Sequence, residues 1–299
     1  MSVNPASIKA KLKNLAIKEN KQFDYLLTLY FIERLLYRVS ISKYSKNFVL
    51  KGGLLLYTIL DEKARATKDI DFLAKQINNE LKELKSIFNE ICDVESDDAI
   101  IFDKSTIISE RIKEDADYEG VRIKVLAYLE KTRKMFLFDI GFGDVVIPKP
   151  VEMEYPSLLN KENSRIFAYS LESVISEKFE AMIYLAELNS RMKDFYDIYS
   201  LCKNFDFDGK ILQKAITETF NRRKTILPEN PTVFSNKFPD LKEKQLQWTA
   251  FKKRIKFASD AEFYDVLSKI RIFLFSIYNC ILNQQNFNKS WNHTTQNWR

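Results

Sequence analysis

Apolar positions recur at helical spacing through residues 5–20 and again through 22–40. In the second stretch, QFDYLLTLYFIERLLYRVS, they fall at Phe23, Leu26, Leu27, Tyr30, Ile32 and Leu35, which predicts two N-terminal helices. NFVLKGG then reads as a short apolar strand ending in glycine, LLLYTIL as a helix, ATKDIDFLA as a second strand and residues 77–92 as a polar helix. VRIKVLAYLE and KMFLFDIGFG alternate like paired strands across a basic turn at Lys131 to Lys134. Pro148, Pro150 and Pro156 mark a break near 148–160. Beyond it the pattern predicts helices at 170–189, 191–204, 209–223, 241–257 and 260–283. The polar end, NQQNFNKSWNHTTQNWR, predicts a tail that is either loose or docked. No internal repeat interrupts this order.

The elements group into an α/β (α+β) architecture. N-terminal helices at 1–44 pack on a core at 45–155 built around a small mixed sheet, followed by a mainly α-helical domain at 156–285 and the tail at 286–299. Composition supports the helical emphasis, because 6 Gly and 7 Pro in 299 residues leave little room for turn-dense β structure. Cys92, Cys202 and Cys280 are odd in number and widely spaced, as expected of core thiols in a reducing compartment. The N-terminus carries no signal-peptide run. The longest apolar stretch, Ile272 to Leu282, is broken by Ser276, Tyr278 and Asn279 and falls short of the ~18 residues of a membrane span. The expectation is a cytoplasmic monomer with no membrane attachment.

Charge alters the picture at one end. Residues 210–299 hold 16 Lys+Arg against 7 Asp+Glu, a balance of +9, which leaves −3 for residues 1–209 within a total of +6. A basic C-terminal third points to a polyanionic partner, although a solvated helical surface looks the same in sequence. The runs Arg222, Arg223, Lys224 and Lys252, Lys253, Arg254, Lys256 are the candidates for contact with an RNA backbone.

The single histidine, His293 in the tail, removes Ser-His-Asp and Cys-His catalysis, and zinc sites lack the ligand clusters they need. Neither GxxxxGK[ST] nor GxGxxG occurs. Carboxylate, lysine and backbone chemistry remain, which suits phosphoryl or nucleotidyl transfer on a hard divalent ion. Asp69 and Asp71 are two apart in a strand, so they share a face while Ile70 points to the core. Paired carboxylates repel unless a cation lies between them. Gly52 and Gly53 lie between strand and helix, where the first-turn N–H groups can face a phosphate. Asp139 interrupts the apolar strand MFLFDIGF and would complete a metal site if that strand adjoins the one bearing Asp69. Arg65 and Lys68 precede the acidic strand, with Arg65 a candidate phosphate contact. Asp144, in GFGD, is expected to play a structural role after the Asp139 strand.

These residues resemble the superfamily that includes DNA polymerase beta, the CCA-adding enzymes and aminoglycoside nucleotidyltransferases. The shared pattern is hG[GS], then Dh[DE]h, then a distant h[DE]h. It is matched here by Leu50 to Gly53, Asp69 to Phe72 and Phe138 to Ile140. More specifically, FVLKGGLLLY, RATKDIDF, FDIGFGD, SEKFEAM and RMKDFYDIYSL are similar to the AbiEii/AbiGii group of toxins, including the MenT relatives. That group belongs to toxin–antitoxin and phage abortive-infection systems. The resemblance implies a nucleotidyltransferase fold and transfer of NMP from an NTP, with GTP favoured and Mg²⁺ (or Mn²⁺) required. It implies an RNA acceptor, the 3′ end of tRNA, and a cognate antitoxin encoded nearby that can act without a stable complex. Asp69, Asp71 and Asp139 would hold metal, and Gly52, Gly53, Arg65, Lys178 and Asp197 would bind nucleotide. Lys178 and Asp194 would join Asp69 and Asp71 in catalysis, with Asp194 ranked ahead of Asp197. On residues alone, Lys178 shares a helix face with Val174, Ala181, Met182 and Leu185, and so needs either an anion or a route to solvent. A small-molecule (antibiotic) nucleotidyltransferase and a non-catalytic nucleotide-binding regulator are the competing classes.

Overall fold

The computed structural model describes residues 3–60, 67, 69–115, 118–159, 161–255 and 261–299. The chain divides into two compact units. The first takes residues up to 60 with 67–143 and 151–168, and the second takes 144–150 and 169–299.

In the first unit, α1 (Pro5–Lys18) starts with Pro5 at its first position, and the Asn4 side chain accepts a hydrogen bond from the Ala6 amide. Its buried face is Ile8, Leu12 and Ala16, a strict four-residue repeat. α2 (Phe23–Ile41) is buried nearly all round. β1 (Phe48–Lys51) runs straight into α3 (Gly52–Leu60), and β2 (Ile70–Ala74) follows. α4 (Leu81–Asp93) buries Leu84, Ile87, Phe88 and Ile91 on one stripe. Then come β3 (Ile101–Asp115), β4 (Tyr118–Leu129), β5 (Thr132–Phe142), β6 (Val151–Tyr155) and β7 (Ser164–Ala168).

These seven strands form one mixed sheet in the order β3-β4-β5-β2-β1-β7-β6. Strands β2 and β5 are parallel, as are β1 and β7, and the other neighbouring pairs are antiparallel. One face is filled by aromatic rings. Phe88 lies 5.2 Å from Phe138 and 5.6 Å from Phe48, and Phe31 of α2 lies 5.4 Å from Phe136. Along β5, Phe136, Phe138 and Ile140 are buried, while Leu137 and Asp139 between them are half-buried on the opposite side.

Two sequence expectations need correction here. The core does not end at residue 155, because β7 lies beyond the proline-marked break and pairs with β1. The burial of β7 does alternate, with Ser164, Ile166 and Ala168 buried and Arg165 exposed, but a polar residue on the buried side and Phe167 on the other hide that period in the sequence. Strand β3, lying between the polar helix and β4, was not anticipated either. Its polar positions and the register shift between Asp103 and Ile108 obscure a period of two.

The second unit is helical, with α5 (Leu171–Leu185), α6 (Met192–Asn204), α7 (Gly209–Arg223), α8 (Lys242–Ile255) and α9 (Phe263–Leu282) among its described residues. The C-terminal segment is docked. It adds β9 (Ser290–Asn292) and β10 (Asn297–Trp298) to β8 (Phe207–Asp208). The Trp298 ring stacks on Phe273 at 5.6 Å, and the Trp291 indole donates to the Cys202 carbonyl at 2.7 Å. Burial of the Trp291 indole and stacking of the half-buried Trp298 outweigh the polar character of the residues between them. No helix of the described residues is long and apolar enough to cross a membrane.

Candidate active site

Strand order brings the acidic residues together. Asp71 of β2 stands in register with Asp139 of β5, and residues paired in this way share a face. Asp69, just before β2, lies on that side by alternation and is exposed. The face is the one turned away from the aromatic core, so the carboxylates avoid the penalty of an apolar interior.

The Asp71 carboxylate sits against the start of α3. A Cβ built on Gly52 would come within 2.0 Å of Asp71 Oδ2, and Gly52 has φ +69. Glycine is therefore needed twice, for the left-handed backbone and for the space its missing side chain leaves to Asp71. The expected cradle for a phosphate is occupied in part by the protein's own acid. Negative charge is favoured beside a helix N-terminus, whichever group supplies it. Gly53 is buried in the first turn of α3.

Arg122 was absent from the sequence expectations. It stands in register with Asp139 across the β4–β5 hairpin. Its Nε lies 2.6 Å from Asp139 Oδ1 and its Nη2 2.7 Å from Oδ2, a bidentate pair. The hydrogen bond to Asp139 raises the guanidinium's pKa against the opposing effect of burial, helped by the charges of Asp139, Glu110 and Asp69. The hairpin turn is Glu130 and Lys131 alone, since Leu129 pairs with Thr132. Placing the turn at Lys131 to Lys134 shifts the register and hides this partnership. Counting back from a two-residue turn would have revealed it.

The donors available to a divalent ion are hard oxygens, and Mg²⁺ is commonly held by one or two carboxylates together with waters and substrate phosphates. Asp69 and Asp71 suffice for that. Among the described residues no three His, Cys, Asp or Glu side chains are grouped to hold a metal, and both oxygens of Asp139 are engaged by Arg122. The donor set fits on two carboxylates, and the third is committed elsewhere.

In the helical unit, Lys178 of α5 finds its anions on α6. Its Nζ lies 2.7 Å from Asp194 Oδ1 and 2.9 Å from Asp197 Oδ2. Lys178 is 11% exposed, Asp194 0% and Asp197 2%. Arg191 Nε approaches the other Asp194 oxygen at 2.7 Å. Burial pushes the Asp194 carboxyl upward in pKa, but Lys178 and Arg191 more than reverse this and hold it at about 2. The lysine thus serves both aspartates, and Asp194 is the more enclosed of the two.

The basic runs divide on inspection. Arg222 and Lys224 lie exposed at the end of α7, and Lys253 and Arg254 are exposed on α8. Lys252 pairs with Glu262 at 2.7 Å. Arg223 is not part of that surface. It turns inward to Glu180 at 2.8 Å, Asp144 at 3.5 Å and Glu177 at 3.7 Å. Burial works against its charge, yet these three acids raise its pKa. One residue along a helix turns the side chain by ~100°, so adjacent arginines need not share a face. Asp144 takes the structural role expected of it, as a partner of Arg223. Arg65, Lys68 and Lys256 lie outside the described residues.

Comparison with curated proteins finds no match. Two solved structures from Helicobacter pylori are similar in fold. JHP933 is 15% identical with a TM-score of 0.48, covering 87% of this chain and 94% of its own. A candidate nucleotidyltransferase is 14% identical with a TM-score of 0.47, covering 88% and 99%. The profile of a sequence family, described as the nucleotidyl transferase AbiEii toxin of type IV toxin–antitoxin systems, matches residues 34–269. That span contains the strand pair bearing Asp71 and Asp139 as well as the Lys178–Asp194 pair, and the chain belongs to the AbiEii family of nucleotidyltransferase toxins.

Proposed function

We propose that the protein is the toxin of its toxin–antitoxin pair and transfers NMP from an NTP, with GTP favoured, to the 3′ end of tRNA, in a reaction that depends on Mg²⁺ or Mn²⁺. Family membership implies a cognate antitoxin. The observation that carries the reading is the register of Asp71 with Asp139 on adjacent parallel strands, beside a glycine whose missing side chain admits the Asp71 carboxylate. A surface strand with two solvated acids would need no such accommodation.

In this reading Asp69 and Asp71 hold the divalent ion, which when bound neutralises phosphate charge and polarises the attacking hydroxyl. Asp71 is fixed by β2 on one side and Gly52 on the other, so its oxygens are positioned before nucleotide arrives. Gly53 and the first turn of α3 present N–H groups to phosphate. Lys178, held by Asp194 and Asp197, is assigned to the triphosphate, and Asp194 sets where its ammonium group lies. Arg222, Lys224, Lys253 and Arg254 are assigned to the RNA backbone.

The test incubates the purified protein with each labelled NTP and total RNA. One RNA class should gain label from one preferred NTP. Asp71→Ala should retain the wild-type circular dichroism and melting curve while losing both the transfer and growth arrest. A folded Asp71→Ala protein that still labels RNA at the wild-type rate would refute the assignment.

A further inference from the structure

Four charged residues form a row across four neighbouring strands. Arg122 on β4 is in register with Asp139 on β5, Asp139 with Asp71 on β2, and Asp71 with Lys51 on β1. Read across the sheet, the row is base, acid, acid, base, all on one face. Neighbouring strands lie about 4.8 Å apart, so the two carboxylates at its centre repel unless positive charge is held close to them.

Arg122 supplies that charge to Asp139 through both oxygens, at 2.6 and 2.7 Å. The guanidinium thereby occupies the carboxylate that would be the third ligand of a divalent ion. The pair is not sealed. The Arg122 side chain is 33% exposed and that of Asp139 21%, so water reaches the contact and the arginine has room to withdraw. The Arg38–Asp98 pair of the same unit shows the contrast, with exposures of 4% and 0%. One pair is enclosed, whereas the other stands at the edge of the candidate site and is open to solvent.

We propose that Arg122 is a positioning residue that acts as the resident counter-cation of Asp139 and sets the affinity of the site for its divalent ion. It holds the carboxylate in the nucleotide-free protein and yields it when a divalent ion enters. The row then exchanges one cation for another, and the acids are never left facing each other without compensation. This inference rests on the metal-dependent reading of the site.

The test measures Mn²⁺ binding to the full-length, nucleotide-free protein by the loss of the free-ion electron paramagnetic resonance signal. Wild type, Arg122→Gln, Arg122→Lys and Asp71→Asn are compared, with melting curves recorded for each. Because an adjacent opposite charge changes a carboxylate's affinity for a proton by about tenfold or more, Arg122→Gln should bind Mn²⁺ about tenfold more tightly. Arg122→Lys, which keeps the charge but loses the bidentate grip, should fall between it and wild type. Asp71→Asn should bind far more weakly. A folded Arg122→Gln protein whose Mn²⁺ affinity is unchanged or reduced, while Asp71→Asn loses binding, overturns the proposal and leaves the metal-dependent reading standing. If Arg122→Gln does not fold, Arg122→Lys decides on the same criterion. Absence of Mn²⁺ binding in all four proteins, with and without NTP, overturns both.

Discussion

Replacing Lys178 with methionine preserves the length of the side chain and removes its charge from between two enclosed carboxylates. Nζ lies 2.7 Å from Asp194 and 2.9 Å from Asp197, and neither acid is more than 2% exposed. Removing one partner from a buried pair costs about 3–5 kcal/mol, because the remaining charge is left without compensation. Arg191 still approaches Asp194 at 2.7 Å, so the loss should lie near the lower end of that range. The pH dependence provides an independent check. Asp194 is held at about 2 against an ordinary 3.8, which at about 1.4 kcal/mol per pH unit amounts to roughly 2–3 kcal/mol. A depressed carboxylate contributes stability that is present above its unfolded pKa and lost as pH falls through its folded pKa. In Lys178→Met the effect of burial is no longer outweighed by the lysine, so the native state takes up a proton at higher pH. The stability gap between wild type and variant should therefore be widest near neutrality and shrink on acidification. Urea unfolding followed by circular dichroism, repeated from about pH 7 to about pH 4, measures it. A gap below about 1 kcal/mol near neutrality, or one that does not change with pH, would refute the reasoning.

Two further outcomes follow from the geometry. Gly52→Ala must place a Cβ within 2.0 Å of Asp71 Oδ2 at φ +69. Backbone strain should cost about 1–3 kcal/mol of stability, and the displaced carboxylate should lower transfer activity far more than melting temperature. Equal proportional losses in both would show that Gly52 serves only the turn. Charge reversal at Arg222, Lys224, Lys253 and Arg254 together should weaken RNA binding and flatten its dependence on salt, by roughly one unit of log–log slope for each phosphate no longer neutralised. The inward-facing Arg223 should contribute to stability instead, and an unchanged salt slope in the fourfold variant would remove that surface from consideration.

The sequence by itself determined the order of most elements, the shared face of Asp69 and Asp71, and the class of chemistry. Local periodicity reports which side of a strand or helix a residue occupies, and one histidine in 299 residues excludes most other catalysts. The tertiary structure alone decided which strands became neighbours. Parallel pairing of β2 with β5 brings together Asp71 and Asp139, 68 positions apart in the chain. The return of β7 to β1 completes a sheet that the proline-marked break had concealed. Partner choice among charges was also out of reach. Helix spacing shows that Lys178 needs an anion, but the fold selects Asp194 and Asp197 from α6 and turns Arg223 inward while Arg222 stays outside. A period along the chain fixes orientation about a local axis, whereas pairing between distant segments depends on the packing of the whole sheet and helix assembly.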